Sequence, residues 1–351
     1  MKWIAGAGNQ DLLAIEDLAG VYTLAGVHCL DVAADPAVAA AARRGIAWAE
    51  ARGARRPWLM LSLSDGVDPH FRKAWFDPAR CPPDCPRPCE RVCPALAIGP
   101  AATGRPGVLP ERCYGCGRCL PACPHGLIAE RDQILPAEAV PPLLAALAPD
   151  AIELHTRIGR AGAFAARLAQ VQASGVPLRR LAVSCGLEPA AGEQPAEDQA
   201  SQATPELLAA ELWRRFAAVR GAGLRPLWQL DGRPMSGDVG GGMAHAAVRL
   251  LERVAPLAPP GPLQLAGGTN QRTLELLERR TFPQGRSWAG AAGVAFGGVA
   301  RSLLQPFLLE AQARGRRLLD EPGLWPRALA EARTLVQPWL SRSATGPGRP
   351  L

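Results

Sequence analysis

The chain has 351 residues, 48% of them hydrophobic, and a formal charge of +7. That length builds a core without cross-links and allows one large domain or two smaller ones. The positive charge is almost all arginine, with Lys2 and Lys73 the only lysines. It forms no block of five like charges and is not interleaved with aromatics, so it reads as solvated helix faces and not as a nucleic-acid interface. No uncharged apolar stretch reaches the ~18 residues of a membrane span. Met1 to Ile4 leads straight into a strand with no apolar secretory segment, so a reducing cytoplasm is expected.

Taken in chain order, short apolar runs predict strands at 3–7, 28–33, 58–63, 151–155, 181–184, 227–231, 262–266 and 293–296. Helical patterns follow each of them. The first starts after Asn9, and the second at Pro36 behind an Asp35 cap. Others start near 136 and 160, at Pro205 behind Thr204, and near 242, 270 and 299. Eight strand–helix units predict an α/β fold, a (β/α)8 TIM-type barrel, with a doubly wound open sheet as the alternative. The predicted barrel covers 1–64 and 133–318. Residues 77–131 form an inserted dicluster ferredoxin-like domain, and 319–351 a helix (322–340) with a flexible tail from about Ser341. Residues 191–201, rich in Ala, Gln and Glu, read as a flexible insertion.

Eight of the ten cysteines lie between Cys81 and Cys123. Cys113, Cys116, Cys119 and Cys123, followed by Pro124, have the C-x2-C-x2-C-x3-C-P spacing of bacterial ferredoxins. Cys81, Cys85, Cys89 and Cys93, followed by Pro94, are spaced more loosely. Eight thiolates suffice for two cubane iron–sulfur clusters. Structural zinc and a disulfide framework fit these spacings less well. In two-cluster ferredoxins the fourth cysteine of each run ligates the other run's cluster. The expected sets are therefore Cys81, Cys85, Cys89 and Cys123 for cluster one, and Cys113, Cys116, Cys119 and Cys93 for cluster two. Gly115 and Gly117 bring backbone close to the second core. Pro82, Pro83, Pro86 and Pro88 stiffen the first loop, so cluster two is [4Fe–4S] while cluster one is [4Fe–4S] or [3Fe–4S]. The cysteine segment lies in the third βα loop, which places it over the barrel mouth.

Strand alternation turns an unusual polar set into the barrel. Asp31, Ser62, Glu153, His155, Ser184, Gln229, Asp231 and Gln264 are predicted inward, opposite the apolar face that meets the helices. Burying them costs several kcal/mol unless they bond each other or a ligand. Gly267 and Gly268, with Asn270 behind them, follow the seventh strand; Gly297 and Gly298 follow the eighth. Such loops hold phosphate in many barrels, or are merely tight turns. Arg233, after the sixth strand, faces an anion, the clusters or a surface partner.

The segments V-Y-T-L-A-G-V-H-C-L-D-V-A-A-D-P, D-P-H-F-R-K-A, C-P-P-D-C-P-R-P-C, W-Q-L-D-G-R-P-M-S-G-D and L-A-G-G-T-N, in that order, resemble the cyanobacterial light-dependent period protein family (LdpA). The resemblance runs from about Lys2 to Ser302. It implies a cytoplasmic iron–sulfur protein that senses redox state and feeds light information into the circadian clock alongside clock-input proteins. The competing expectation is an oxidoreductase whose barrel holds FMN or another phosphate-bearing ligand and receives electrons from the clusters. In that reading His155 or Asp231 serves as the acid–base group.

Overall fold

A computed structural model describes residues 1–100, 106–187, 203–232, 242, 244–279, 281–282, 286–287 and 291–345. Among them, eight parallel strands close into a barrel. They are β1 (Lys2–Gly6), β2 (Cys29–Ala33), β3 (Trp58–Ser64), β4 (Ala151–His155), β5 (Arg180–Gly186), β6 (Pro226–Asp231), β7 (Leu263–Ala266) and β8 (Ala291–Phe296). Each pairs with its sequence neighbour, and Lys2 opposite Ala295 closes β1 onto β8. That closure excludes the open sheet.

Alternation decides which way each side chain points. Trp3, Leu30, Leu61, Leu154, Val183 and Leu230 face outward and join one core with the surrounding helices. The helices start where the chain supplies caps. Helix α1 (Leu12–Ala25) is capped by Asp11, whose side chain accepts from Ala14 N. Helix α2 (Pro36–Glu50) is capped by Asp35, which accepts from Ala37 N and Val38 N. These two cross so closely that a Cβ at Gly45 would sit 2.2 Å from Glu16 O. The ring continues with α3 (Val140–Leu147), α4 (Ala161–Ala173), α5 (Pro205–Gly221), α6 (Ala244–Val254), α7 (Arg272–Glu278) and α8 (Gly298–Ala313). A last helix, α9 (Trp325–Thr345), packs Trp339 against Phe296. It runs past the boundary expected near Ser341, because the apolar spacing through Leu335, Val336 and Trp339 keeps one face against the core. Residues 346–351 and the expected flexible insertion at 191–201 lie outside the described residues.

Between β3 and α3 the chain leaves the barrel through an antiparallel ribbon, Arg72–Trp75 against Ala129–Asp132. Within it, a four-residue helix precedes the last cysteine of each run: Pro88–Arg91 before Cys93, and Cys119–Ala122 before Cys123. A separate apolar cluster of Ala74, Phe76, Ala97, Ile98 and Ile128 packs around the cysteines. Lys73 seats this insertion. Its buried ammonium donates to Gln10 Oε1 and Pro110 O, both at 2.6 Å.

Candidate functional site

The barrel interior has two halves. Its floor is apolar, made by Cys29, Met60, Ala151 and Ala182. Above the floor the side chains are polar and buried. Lys2 stands at the centre, 1% exposed, with Nζ 2.8 Å from Asp31 Oδ2 and also bonded to Glu153 Oε2. Ser62 Oγ donates to Asp31 Oδ1 at 2.6 Å. Gln229 Nε2 donates to Glu153 Oε1 at 2.8 Å and to Ser184 Oγ at 3.0 Å, and Ser184 Oγ donates to Asp231 at 2.5 Å. His155 Nε2 lies 3.0 Å from Glu153 Oε1. The expected inward set is thus gathered, and most of it is bonded internally. Within this inward set two buried amide oxygens have no partner: Gln229 Oε1 and Gln264 Oε1.

The electrostatics follow from burial and from the shortage of cations. Burial alone would lower the Lys2 pKa, but Asp31 and Glu153 hold it above its ordinary value. Burial, then the charge of Glu153, raises Asp31 to about 7. Glu153 itself is held low despite burial, by Lys2 and then His155. His155 is raised to about 9: burial opposes this, but Glu153, Asp68 and Asp231 outweigh it. Burial also raises Asp231.

Above this network lies a cavity of about 180 Å³. Its wall includes Glu153, His155, Gln229 and Asp231 from below, and Gly267, Gly268, Asn270, Gly297 and Gly298 at the rim. Gly267 and Gly268 have φ of 60° and 88°, which other residues adopt only with strain. The second pair does not need that freedom; Gly297 has φ −111°. Asn270 Oδ1 is engaged by Arg272 N at 2.9 Å, and Thr269 Oγ1 donates to Ala295 O. The roof comes from the insertion, through Tyr114, Cys116 and Arg118. Arg301 of α8 lies 4.0 Å over the Tyr114 ring and donates to Ala5 O of β1, tying insertion, helix and barrel together.

None of the ten cysteines is joined to another in a disulfide. Cys93, Cys113, Cys116 and Cys119 line one small cavity together with Tyr114. Burial raises the Cys116 and Cys119 thiols, and Cys93 is close enough to both to raise them further. Burial likewise raises Cys81 and Cys89, with Cys123 acting on both; Cys81 also feels Cys85. The fourth cysteine of each run therefore sits with the other run. Backbone amides point at sulfur: Ala74 N to Cys113 Sγ at 3.3 Å, Ala97 N to Cys93 at 3.2 Å, and Leu127 N to Cys123 at 3.4 Å. Gly115 and Gly117 both have φ near 77°. Crosswise thiol groups with converging amides are a donor set that suits iron–sulfur clusters.

Sequence reasoning overlooked several residues. Lys2 was not expected inside, although it alternates with the outward Trp3. Asp68 and His70 escaped notice because only the fold brings them to His155; the His70 and His155 rings are 4.7 Å apart. A further buried network at the rim was also missed: Arg215 donates to Thr156 Oγ1 at 2.9 Å, and Thr156 Oγ1 to Asp65 at 2.6 Å. Arg233 lies outside the described residues.

Comparison with known proteins bears on the whole chain. The family model described as "LdpA Fe-S cluster-binding domain" matches residues 81–134, and "Light dependent period A C-terminal domain" matches 143–338. The chain is 43% identical over 338 residues to "Light dependent period A" of Synechococcus elongatus, covering 96% of this chain and 90% of that protein. Similar solved structures include tryptophan synthase of Mycobacterium tuberculosis, at 14% identity and a TM-score of 0.41, covering 96% of this chain and 91% of that one. Another is (S)-3-O-geranylgeranylglyceryl phosphate synthase of Thermoplasma acidophilum, at 12% and 0.38, covering 95% and 92%. The sequence matches carry the assignment: the chain belongs to the light dependent period A family of iron–sulfur proteins.

Proposed function

We propose that this protein senses cellular redox state with two iron–sulfur clusters and passes it, through the barrel mouth, to the circadian clock. Cluster one is held by Cys81, Cys85, Cys89 and Cys123 as [4Fe–4S] or [3Fe–4S], and cluster two by Cys113, Cys116, Cys119 and Cys93 as [4Fe–4S]. When bound, each supplies a one-electron couple and so a change of one charge. The ligands sit in a ferredoxin-like insertion, 77–131, on a barrel of 1–64 and 133–318, with 319–351 as a terminal helix and tail.

The observation that carries this reading is the shared wall. Cys116 and its neighbours Tyr114 and Arg118 roof the cavity that Glu153, His155 and Asp231 floor. One added negative charge at the roof weakens the ionised carboxylates below and favours their protonated forms. Arg301, bonded to both sides, is the element positioned to shift. The readers on this proposal are circadian clock-input proteins in the cytoplasm; the relative's name, "Light dependent period A", supports the circadian part alone. Potentiometric EPR on anaerobic protein tests this: cluster signals that change within the physiological range are expected, and clusters fixed in one oxidation state across it would refute the sensor.

The unpartnered Gln229 Oε1 favours a second reading, in which the cavity holds a small ligand. A phosphate-bearing molecule such as FMN would lie against Gly267, Gly268, Gly297 and Gly298. Flavin absorbance in anaerobically purified protein is expected on that reading, and a cluster-only spectrum with no released chromophore counts against FMN.

A further inference from the structure

We propose that Asp68, His70 and His155 form a metal site, separate from the cysteine segment, for one divalent cation of borderline softness such as Zn²⁺. Asp68 and His70 lie where the chain leaves β3 for the insertion, and His155 ends β4. One ligand atom from each residue lies within 4.8 Å of the other two. Two imidazoles and one carboxylate suit Zn²⁺, Fe²⁺, Mn²⁺ or Co²⁺, whereas Ca²⁺ and Mg²⁺ prefer oxygen alone.

Four observations separate this from an ordinary hydrogen-bonded histidine pair. First, one His155 nitrogen rests on a buried carboxylate outside the ligand set, while Asp68 and His70 present an oxygen and a nitrogen side by side. His70 Nδ1 is 2.7 Å from Asp68 Oδ1, and His155 Nε2 is 3.0 Å from Glu153 Oε1. A carboxylate behind the imidazole, as Glu153 stands behind His155, is how metal-binding histidines are oriented and made more basic. Second, Glu153 occupies His155 Nε2, and His155 Nδ1 makes no hydrogen bond among the described residues. Third, both histidines line the same cavity as Gln229, whose Oε1 is without a partner in a residue 1% exposed. Fourth, Asp68, Glu153 and Asp231 all act electrostatically on His155. Arg157 Nε is 3.8 Å from Asp68 Oδ2. A cation among these groups offsets buried negative charge in addition to that met by Lys2 and Arg157.

The site stands independently of the redox reading, since it uses no cysteine and its metal is counted apart from cluster iron. Zn²⁺ is a fair probe, because nitrogen–oxygen sites bind it more tightly than Mn²⁺ or Fe²⁺. Anaerobic holoprotein is washed with a mild chelator and dialysed against Zn²⁺. Zinc, iron and sulfide are then measured for the parent protein and for His70→Ala and Asp68→Asn. His70 is partly exposed, so the alanine variant should fold; the iron and sulfide counts check this. The expected result is one Zn²⁺ per chain in the parent protein, with affinity at least ~10-fold weaker in both variants at unchanged iron and sulfide. A parent protein that binds no stoichiometric zinc, or variants that bind it equally well, would overturn the site.

Discussion

Lys2 holds the barrel interior together. Its ammonium lies between Asp31 and Glu153, all three about 1% exposed. Removing one partner from such a cluster leaves an uncompensated buried charge, which typically costs about 3–5 kcal/mol. Lys2→Met should therefore lower unfolding free energy by about that amount in urea titration, far more than a surface substitution would. Asp31 gives a pH signature. Its folded pKa of about 7 is raised above the ordinary carboxylate value, so its protonated form stabilises the fold. That contribution is full below about pH 4 and is lost as pH rises through 7. Asp31→Asn should flatten the decline of stability between pH 4 and 7, measured by denaturation across that range. The inward positions of Asp31, Ser62, Glu153 and Gln229 were legible because strand period is two and their neighbours are aliphatic. Lys2 was not, because an aromatic at position 3 draws the strand start one residue late. His70 was not, because its contact with His155 spans 85 residues and no local pattern encodes it.

At the scale of elements, side chains from both sides help hold the insertion over the mouth. Lys73 bonds Gln10 and Pro110, and Arg301 joins Tyr114 to Ala5. Arg301→Gln removes a cation from beside Tyr114, which lies between Cys113 and Cys116. A nearby positive charge favours the reduced, more negative cluster. The variant's cluster two should therefore have a more negative midpoint potential in a redox titration, while cluster one changes less. The helix layer has its own sensitive point. Gly45→Ala places a methyl against the α1 backbone and should cost about 1–3 kcal/mol or more in thermal or urea unfolding. The eight strands and most helix starts were legible from apolar runs and from caps such as Asp35 and Thr204. The extension of α9 past Ser341 was not. Its Ser, Arg and Ala residues carry weak signals, and packing of the preceding turns decides where the helix stops.

Across the whole molecule, the cysteine segment and the polar barrel are two walls of one cavity. The spacing of the cysteines indicated what they bind, and loop order indicated the face of the barrel they cover. Only the folded chain shows that Cys116 and Glu153 line the same space. The central claim is that electrons arriving at the clusters are felt in that space. Hydrogen exchange on anaerobic protein, oxidised against dithionite-reduced, tests it most directly. Reduction should alter exchange at the mouth, in the backbone around Gly6, Gly267 and Arg301, and leave the apolar barrel floor unchanged. Identical exchange at the mouth in both states, with cluster reduction verified by EPR, would contradict it.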